Sequence, residues 1–251
     1  MVFWRILDNK VYDVYQTDKL GFAKSDTTYI PDEYLNRKEF VVMRTAHGIG
    51  DWGILTAMPR LLKEKYPDCK VYIPSESLLK KLFGHLQTNW SMWDNPFKNA
   101  EVVFKNNPYV DDFIDSIDGD VFHDHYRTYD DENINTPLVE QMLQFWQFNE
   151  NELCDSRPEL YFSEDEVKRG DDIINTFTEG DYGVLTISNR YKYECDSLIT
   201  DILSKNNIPY FYWTKDPIDT TKFNFIDTAL NLRHIDIRLQ LYIKSHLQVI
   251  L

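Results

Sequence analysis

The sequence has little of what disulfide frameworks, membrane spans and secreted precursors require. Its three cysteines, Cys69, Cys154 and Cys195, lie far apart and form no Cys-x-x-Cys pair, which argues against a disulfide framework and a cysteine zinc site. No window approaches about 18 uncharged apolar residues, so no membrane-spanning segment is expected. Residues 1–10 lack the apolar stretch of a signal peptide. These absences predict a protein of the reducing cytoplasm.

Positive charge is also scarce. The chain has 27 Lys and Arg against 41 Asp and Glu, which gives a formal net charge of −14. Charge of this sign repels phosphodiester backbones and anionic membrane surfaces, so neither a nucleic-acid partner nor a membrane-surface partner is expected. The 251 residues, of which 43% are hydrophobic and 27% charged, suffice for a buried core in one large or two small domains.

Apolar runs of strand length alternate with helical patterns between residues 39 and 148. Strands are predicted at 40–44, 70–73, 100–104, 112–115 and 120–123, and helices at 52–66, 75–83 and 137–148. Ser75 is the predicted cap of the second helix, with Ser77 as a competing candidate. Alternation of this kind is typical of a parallel sheet with helices on both faces, and the fold class is therefore α/β.

The alternation resumes after a polar linker at 149–158. Helices are predicted at 163–177, 195–205 and 239–244, and strands at 182–187, 209–213 and 247–251. A capping box, Ser163 to Glu166, marks the start of the first of these helices.

Three segments follow from this pattern. They are an N-terminal extension at 1–38 with short strands near 2–7 and 11–15, an α/β domain at 39–150, and a linker with a second α/β domain at 151–251. About 70 residues follow Gly180, which is short for a full doubly wound unit. The second domain is therefore expected to be incomplete.

A glycine-rich junction lies between the predicted strand at 40–44 and the helix that follows. Gly48, Gly50 and Gly53 match Gly-x-Gly-x-x-Gly, at a position where the backbone can approach a ligand and a helix N-terminus can meet an anion. A dinucleotide site also needs an acidic residue at the end of the next strand, and Tyr72-Ile73-Pro74-Ser75 offers none. A nicotinamide or flavin cofactor is therefore not expected.

Four stretches of the chain resemble one known family. The first, residues 43–67, contains Arg44, Gly50-Asp51, Thr56-x-x-Pro59 and Tyr66-Pro67. The others, in order, are Asn107-Pro108-Tyr109-Val110-Asp111-Asp112, Arg157-Pro158-Glu159-Leu160-Tyr161-Phe162-Ser163 and Ser188-Asn189-Arg190-Tyr191-Lys192-Tyr193. Together they resemble the family-9 glycosyltransferases, the ADP-heptose:lipopolysaccharide heptosyltransferases and their relatives. The resemblance implies a GT-B architecture of two Rossmann-like domains, with the acceptor mostly on the first and the donor mostly on the second.

The resemblance also implies a reaction. It is the inverting, metal-independent transfer of a sugar from a nucleotide-diphosphate donor, which is substrate rather than cofactor, to a bacterial-type surface glycan or glycolipid. Asp51 matches the family's catalytic carboxylate, and inversion needs a base for the acceptor hydroxyl proton. A plain helix cap is the alternative role of Asp51, and His47 is a rival base.

The remaining candidate site residues are expected to contact the two substrates. Lys192 matches the family's phosphate-contacting lysine, with Arg190 beside it, although a solvated lysine is the alternative. The other candidates are donor contacts at Gly48, Gly50 and Ser188 and acceptor contacts at Arg44, His125 and Arg127.

The chain departs from the family pattern in three places. Glu194-Cys195 stand where the family has Trp-Pro, its later Asp-x-Gly-x-x-His segment does not occur before Leu251, and the leader lies outside the pattern. We therefore expect either a fragment or a reduced relative that binds a nucleotide sugar or a glycan without turnover. A sugar-nucleotide epimerase is a further alternative, because it shares the architecture.

Two other polar clusters are not expected to form a metal or catalytic site. His123 and His125 point to one face of a strand and Asp124 to the other, so two ligands lack a third and no metal site is expected. The acidic positions Asp111, Asp112, Asp115, Asp118 and Asp120 are expected to form a solvated surface.

Overall fold

The computed structural model of the protein describes residues 3–7, 10–13, 35–36, 38–44, 48–84, 95–118, 120–124, 148–149, 157–177, 182–186, 195–213, 229–232 and 235–245. The chain divides into two compact units, Met1–Tyr161 and Phe162–Leu251. Each unit mixes helices with a three-stranded parallel sheet, so the α/β class is confirmed. The domain boundary predicted after residue 150, the helix predicted at 137–148 and the strand predicted at 247–251 lie outside the described residues, apart from residue 148, which is not helical.

The parallel sheet of the first unit consists of β3 (Glu39–Val41), β4 (Lys70–Pro74) and β5 (Asp112–Ile114), in that order. The register pairs Phe40 with Val71 and Ile73 with Phe113. Phe40, Val71 and Ile73 have no exposed surface. This is expected for a parallel sheet, whose strands are covered on both faces.

The helix predicted at 52–66 is two helices. They are α1 (Ile49–Gly53) and α2 (Met58–Lys65), with turns between them. Pro59 explains the break, because proline lacks the N–H that would bond to the Leu55 carbonyl and its ring crowds that oxygen. Instead, the Met58 N–H donates to the Leu55 carbonyl at 2.9 Å, and Pro59 lies in the first turn of the new helix.

Two further predictions in this unit have opposite outcomes. Helix α3 (Glu76–Phe83) begins as expected, with Ser75 as its cap, because the Leu78 N–H donates to the Ser75 hydroxyl at 3.2 Å. The strand predicted at 100–104 is wrong, since α4 (Asn99–Phe104) occupies it. The buried residues Ala100, Val103 and Phe104 have helical spacing, so the run packs as one helix face.

The N-terminal extension belongs to a sheet that is separate from the parallel one. Strands β1 (Phe3–Leu7) and β2 (Lys10–Asp13) pair with each other, and β1 also pairs with β6 (Asp120–Asp124), in the order β2-β1-β6. Both pairings are antiparallel. The strand predicted at 120–123 therefore exists, but its described pairing is with the extension rather than with the parallel sheet.

The second unit contains three described helices and three described strands. They are α5 (Glu164–Phe177), β7 (Gly183–Thr186), α6 (Cys195–Lys205), β8 (Tyr210–Trp213), β9 (Ala229–Asn231) and α7 (Ile237–Ser245). The sheet is parallel in the order β7-β8-β9, and β9 was not predicted. The capping box is confirmed, because the Glu166 N–H donates to the Ser163 hydroxyl and the Ser163 N–H to the Glu166 carboxylate.

Within these described ranges, no helix combines the length and the apolar character that crossing a membrane requires.

Candidate functional site

The described part of the predicted site lies where β3 leads into α1. Residues 42–44 continue the extended chain of β3, and the Val42 N–H donates to the Tyr72 carbonyl at 2.9 Å. Arg44 follows, with no exposed surface. Gly48 is the N-cap of α1 in an extended conformation, and Asp51 lies in the first turn. The fold thus brings Arg44, Gly48 and Asp51 together at the carboxyl end of a parallel strand.

The Asp51 carboxylate is held by a donor at each oxygen. Arg44 Nη2 donates to Oδ1 at 3.3 Å, and the Gly48 N–H donates to Oδ2 at 3.1 Å. The Asp51 side chain is 22% exposed, whereas that of Arg44 is 0% exposed. The bond from Gly48 is the return half of a capping box, so Asp51 has the capping role as well. The carboxylate is therefore held in one orientation by two protein donors, and part of its surface is open to solvent.

The three glycines of the junction differ in what surrounds them. A Cβ added to Gly48 would lie 2.7 Å from Asp51 Oδ2, so the carboxylate position depends on the absence of a side chain there. A Cβ on Gly50 or Gly53 would meet nothing within 4 Å. In a dinucleotide fingerprint, the third glycine allows close packing of helix on strand. Gly53 has no such role in this structure.

Trp52 anchors the short helix α1. Its side chain has no exposed surface, and its ring packs edge-on against Phe104 of α4, with centroids 6.3 Å apart. Five residues are too few for a stable isolated helix, so burial of this side chain fixes α1. Because Asp51 is the preceding residue, the same burial sets the direction in which its carboxylate points.

A second cluster surrounds Thr56, just after α1. The buried Thr56 hydroxyl donates to the Gly53 carbonyl at 2.7 Å and accepts from the Glu159 N–H at 2.8 Å. The Asn107 side-chain amide donates to the Thr56 carbonyl at 3.4 Å. Thr56, Asn107 and Glu159 come from three of the four stretches that resemble the family. The fold therefore joins these distant stretches at one residue.

Glu159 extends this cluster onto α2. Its carboxylate accepts from Arg60 Nε at 2.6 Å and from the Tyr161 hydroxyl at 2.7 Å. Burial, followed by the hydrogen bond to Glu159, raises the pKa of Tyr161. Burial acts to lower the pKa of Arg60, but its hydrogen bonds to Glu64 and Glu159 outweigh this and raise it. Sequence reasoning assigned no role to Arg60 or Glu159, although both lie in stretches that it singled out.

Part of the acidic surface is more ordered than expected. Asp111 Oδ2 accepts from Lys63 Nζ at 2.6 Å and from the Val71 N–H at 2.8 Å, and Oδ1 accepts from Lys70 Nζ at 2.9 Å. Burial acts to raise the pKa of Asp111, but these hydrogen bonds outweigh it and lower the pKa to about 2. Asp111 thus joins β4 to α2. This bonded role differs from the solvated surface that the sequence predicts.

The other acidic positions are mixed. Asp112 and Asp118 are exposed, as expected. Asp115 is exposed but accepts from the hydroxyls of Ser75 and Ser77, and these hydrogen bonds lower its pKa. Asp115 therefore secures the start of α3.

The remaining candidates lie outside the described residues. These are His47, His125, Arg127, Ser188, Arg190 and Lys192. His123 and Asp124 belong to β6, where the backbone alone is described. Among the residues described with side chains, no three His, Cys, Asp or Glu are placed to hold a metal ion.

What the structure defines is a class, namely an α/β protein of two units with a partly exposed, arginine-bonded carboxylate at the carboxyl edge of its first parallel sheet. Comparison of the chain with models of protein families, with curated proteins and with solved structures found no match. The resemblance to family-9 glycosyltransferases thus stays a prediction based on the residues quoted above.

Proposed function

We propose that this chain is an inverting, metal-independent glycosyltransferase of GT-B architecture, with two Rossmann-like domains. It moves a sugar from a nucleotide-diphosphate donor to a glycan or glycolipid acceptor of bacterial-surface type, in the cytoplasm. One observation carries the proposal. The Asp51 carboxylate stands at the carboxyl end of β3, oriented by Arg44 and the Gly48 N–H and partly open to solvent.

The position of Asp51 suits a general base. Ligands of open α/β sheets bind outside the carboxyl ends of the strands, which is where β3 leads into α1. The acceptor hydroxyl oxygen attacks the anomeric carbon, its proton passes to Asp51, and the bond to the diphosphate breaks with its electron pair on the departing nucleoside diphosphate. A base in this role contributes about 10²- to 10⁴-fold to the rate.

The other roles remain as the sequence predicts them. Lys192 and Arg190, with Ser188, neutralise the diphosphate as it leaves. Gly48 and Gly50 leave room for the donor, and His125 and Arg127 contact the acceptor. His47 is the second candidate for the base.

The cluster around Thr56 adds support of a different kind. Separate stretches can match a family by chance, but chance matches have no reason to contact one another. Here Asn107 and Glu159 both bond to Thr56, and Arg60 bonds to Glu159. Three of the matching stretches are therefore parts of one structural assembly just after α1.

The first experiment measures the melting temperature of the purified chain with a panel of nucleotide-diphosphate sugars, with Lys192→Ala in parallel. A donor at about 100 times its dissociation constant stabilises the folded chain by about 2.7 kcal/mol. We expect one nucleotide class to raise the melting temperature and Lys192→Ala to abolish the effect. If no donor stabilises a chain that melts cooperatively, the proposal is wrong.

The second experiment tests the base. Release of nucleoside diphosphate from the stabilising donor is measured with Asp51→Asn, which keeps the side-chain shape, and with Asp118→Asn, an exposed control in the same unit. We expect Asp51→Asn to bind the donor but to lose about 10²- to 10⁴-fold in rate, with the control unchanged. Equal rates would assign Asp51 to capping alone and leave His47 as the candidate.

The alternatives give different results in the same assays. A remnant that only binds would melt at a higher temperature with the donor but release no nucleotide. The bond between Asp51 and the Gly48 N–H favours the remnant, because a carboxylate that caps a helix has a structural role without any catalytic one. An epimerase would convert the sugar nucleotide in the absence of any acceptor.

A further inference from the structure

Arg44 is buried and has no exposed surface with which to contact a substrate. Its side chain is 0% exposed, so the guanidinium lies beneath the surface on which a ligand would rest. Burial of such a charge costs several kcal/mol unless a partner and hydrogen bonds compensate. The partner at the open edge is the Asp51 carboxylate, 3.3 Å from Nη2.

The two donors to Asp51 come from differently anchored parts of the chain. Arg44 lies on the continuation of β3, which hydrogen-bonds to β4 through the Val42 N–H. Gly48 caps α1, which the buried Trp52 anchors. A carboxylate that accepts from both is fixed in position and in rotation, because each donor holds a different oxygen.

We propose that Arg44 is a positioning residue, which acts on the reaction through Asp51 and does not contact the acceptor. With the Gly48 N–H, it holds the carboxylate in the orientation that receives the acceptor proton. This inference rests on the proposed function and gives Arg44 a different role from the acceptor contact that the sequence predicts.

Kinetics separate the two roles. Arg44→Met keeps much of the side-chain volume but removes the donor, and a displaced catalytic group costs about 100-fold in rate. With the stabilising donor and a bacterial cell-surface glycan preparation as acceptor, we expect kcat to fall by about that factor and KM to stay unchanged. In Arg44→Ala, added methylguanidinium should restore part of kcat. Arg60→Met is the matched control, since Arg60 bonds to Glu159 in the same unit.

A higher acceptor KM at an unchanged kcat in Arg44→Met would overturn the proposal, because an acceptor contact predicts that result. Unchanged kcat and KM would overturn it as well. Arg44→Lys provides a second variant that retains a buried cation. We expect its kcat to lie between those of Arg44→Met and the unmodified chain.

A readout besides activity keeps this inference distinct from the proposed function. The Gly48 N–H donates to Asp51, so its resonance in a ¹H–¹⁵N spectrum reports the carboxylate position. We expect Arg44→Met and Asp51→Ala to move the Gly48 resonance to a similar extent and Arg60→Met to leave it in place. An unmoved resonance in Arg44→Met would show that Asp51 is held without Arg44. If the resonance moves but no donor is turned over, the proposed function fails and the positioning role stands.

Discussion

Each unit of the molecule contains a buried arginine that is bonded to a carboxylate, and the two pairs differ in how exposed that carboxylate is. In the first unit, Arg44 is 0% exposed and Asp51 is 22% exposed. In the second unit, Arg238 is 5% exposed and Glu166 is 7% exposed. The arginines are alike, but one carboxylate is partly open to solvent and the other is nearly enclosed.

The second pair joins two helices. Arg238 Nε and Nη2 donate to the two oxygens of Glu166, each at 3.1 Å, and the guanidinium lies 4.7 Å from the centre of the Phe162 ring. Glu166 also accepts from the Ser163 N–H at the start of α5. This two-pronged geometry holds α5 against α7 and leaves the carboxylate enclosed. Exposure of the acid thus separates a pair that joins two helices from a pair whose carboxylate is partly open to solvent.

The largest effect is expected where the acid is enclosed. Arg238→Met leaves the Glu166 charge buried and without its arginine, and loss of one partner of a buried pair costs about 3–5 kcal/mol. Urea unfolding of the whole chain should show this loss in the transition of the second unit. Arg169→Met is the control on α5, the helix of Glu166, since the pair of Arg169 with Asp165 is 56% and 75% exposed and contributes at most about 0.5 kcal/mol. Similar losses for both variants would contradict the structural role of Arg238.

The next largest effect is expected where α5 and α7 touch, at Gly170. A Cβ at Gly170 would lie 2.1 Å from Cδ1 of Tyr242, whose ring is tied to Asp171 through its hydroxyl and packs edge-on against Phe162. Both contacts hold the ring in place, so the added methyl group in Gly170→Ala must push α5 away from α7. We expect this to lower the free energy of unfolding by about 1–3 kcal/mol. In Gly84→Ala, the new methyl group meets nothing within 4 Å, and we expect no loss of stability. Equal melting temperatures for the two variants would refute the close packing.

The exposed acid of the first pair predicts a smaller loss. When Arg44→Met removes the guanidinium, water can reach the Asp51 carboxylate and solvate it, so the free energy of unfolding should fall by about 1–2 kcal/mol. The comparison with Arg238→Met in the same unfolding experiment is decisive. If Arg44→Met is as destabilising as Arg238→Met, then exposure of the acid does not distinguish the two pairs.

The smallest effect is expected for a carboxylate whose lysine partners are themselves in part exposed. The pKa of Asp111 is lowered to about 2, so its contribution to stability is present above its ordinary pKa and is lost as the pH falls from about 4 to 2. Solvent around Lys70, whose side chain is 57% exposed, screens this contribution to about 1 kcal/mol. In Asp111→Asn, the first unit should lose less stability over this pH range than the unmodified chain. Asp112→Asn is the control, and an identical pH dependence in all three proteins would argue against the ion pairs of Asp111.

Local signals in the sequence predicted the elements that depend on neighbouring residues. The Ser75 cap, the Ser163 capping box and the helix at 195–205 are found as predicted, because the atoms that decide them lie within one or two helical turns. Ala229–Asn231 has no β-branched or aromatic residue, so nothing local marks it as a strand. Its pairing with β8 makes it one.

The strand predicted at 100–104 shows the reverse case. Val102, Val103 and Phe104 favour strands, but the buried positions in the fold repeat with helical spacing. Short apolar runs do not separate the two structures by periodicity, and packing decided the outcome.

The candidate site divides in the same way. Sequence reasoning singled out Gly48 and Asp51, because a glycine before a helix and an acid in its first turn are local patterns. It could not show that Arg44 is fully buried, since burial depends on the helices and strands packed around it. Nor could it show the bond from the Glu159 N–H to Thr56, which spans 103 residues.

The sequence by itself determined the α/β class, the order of most helices and strands, and the acidic residue at the first turn after β3. Periodicity and capping encode these features within short segments, where few conformations compete. Tertiary structure alone decided which sheet each strand joined, that Arg44 is fully buried while Asp51 is partly exposed, and that Arg238 and Glu166 are both buried. Those outcomes depend on which distant segments pack together and on how much water each charge then retains. No short segment holds that information.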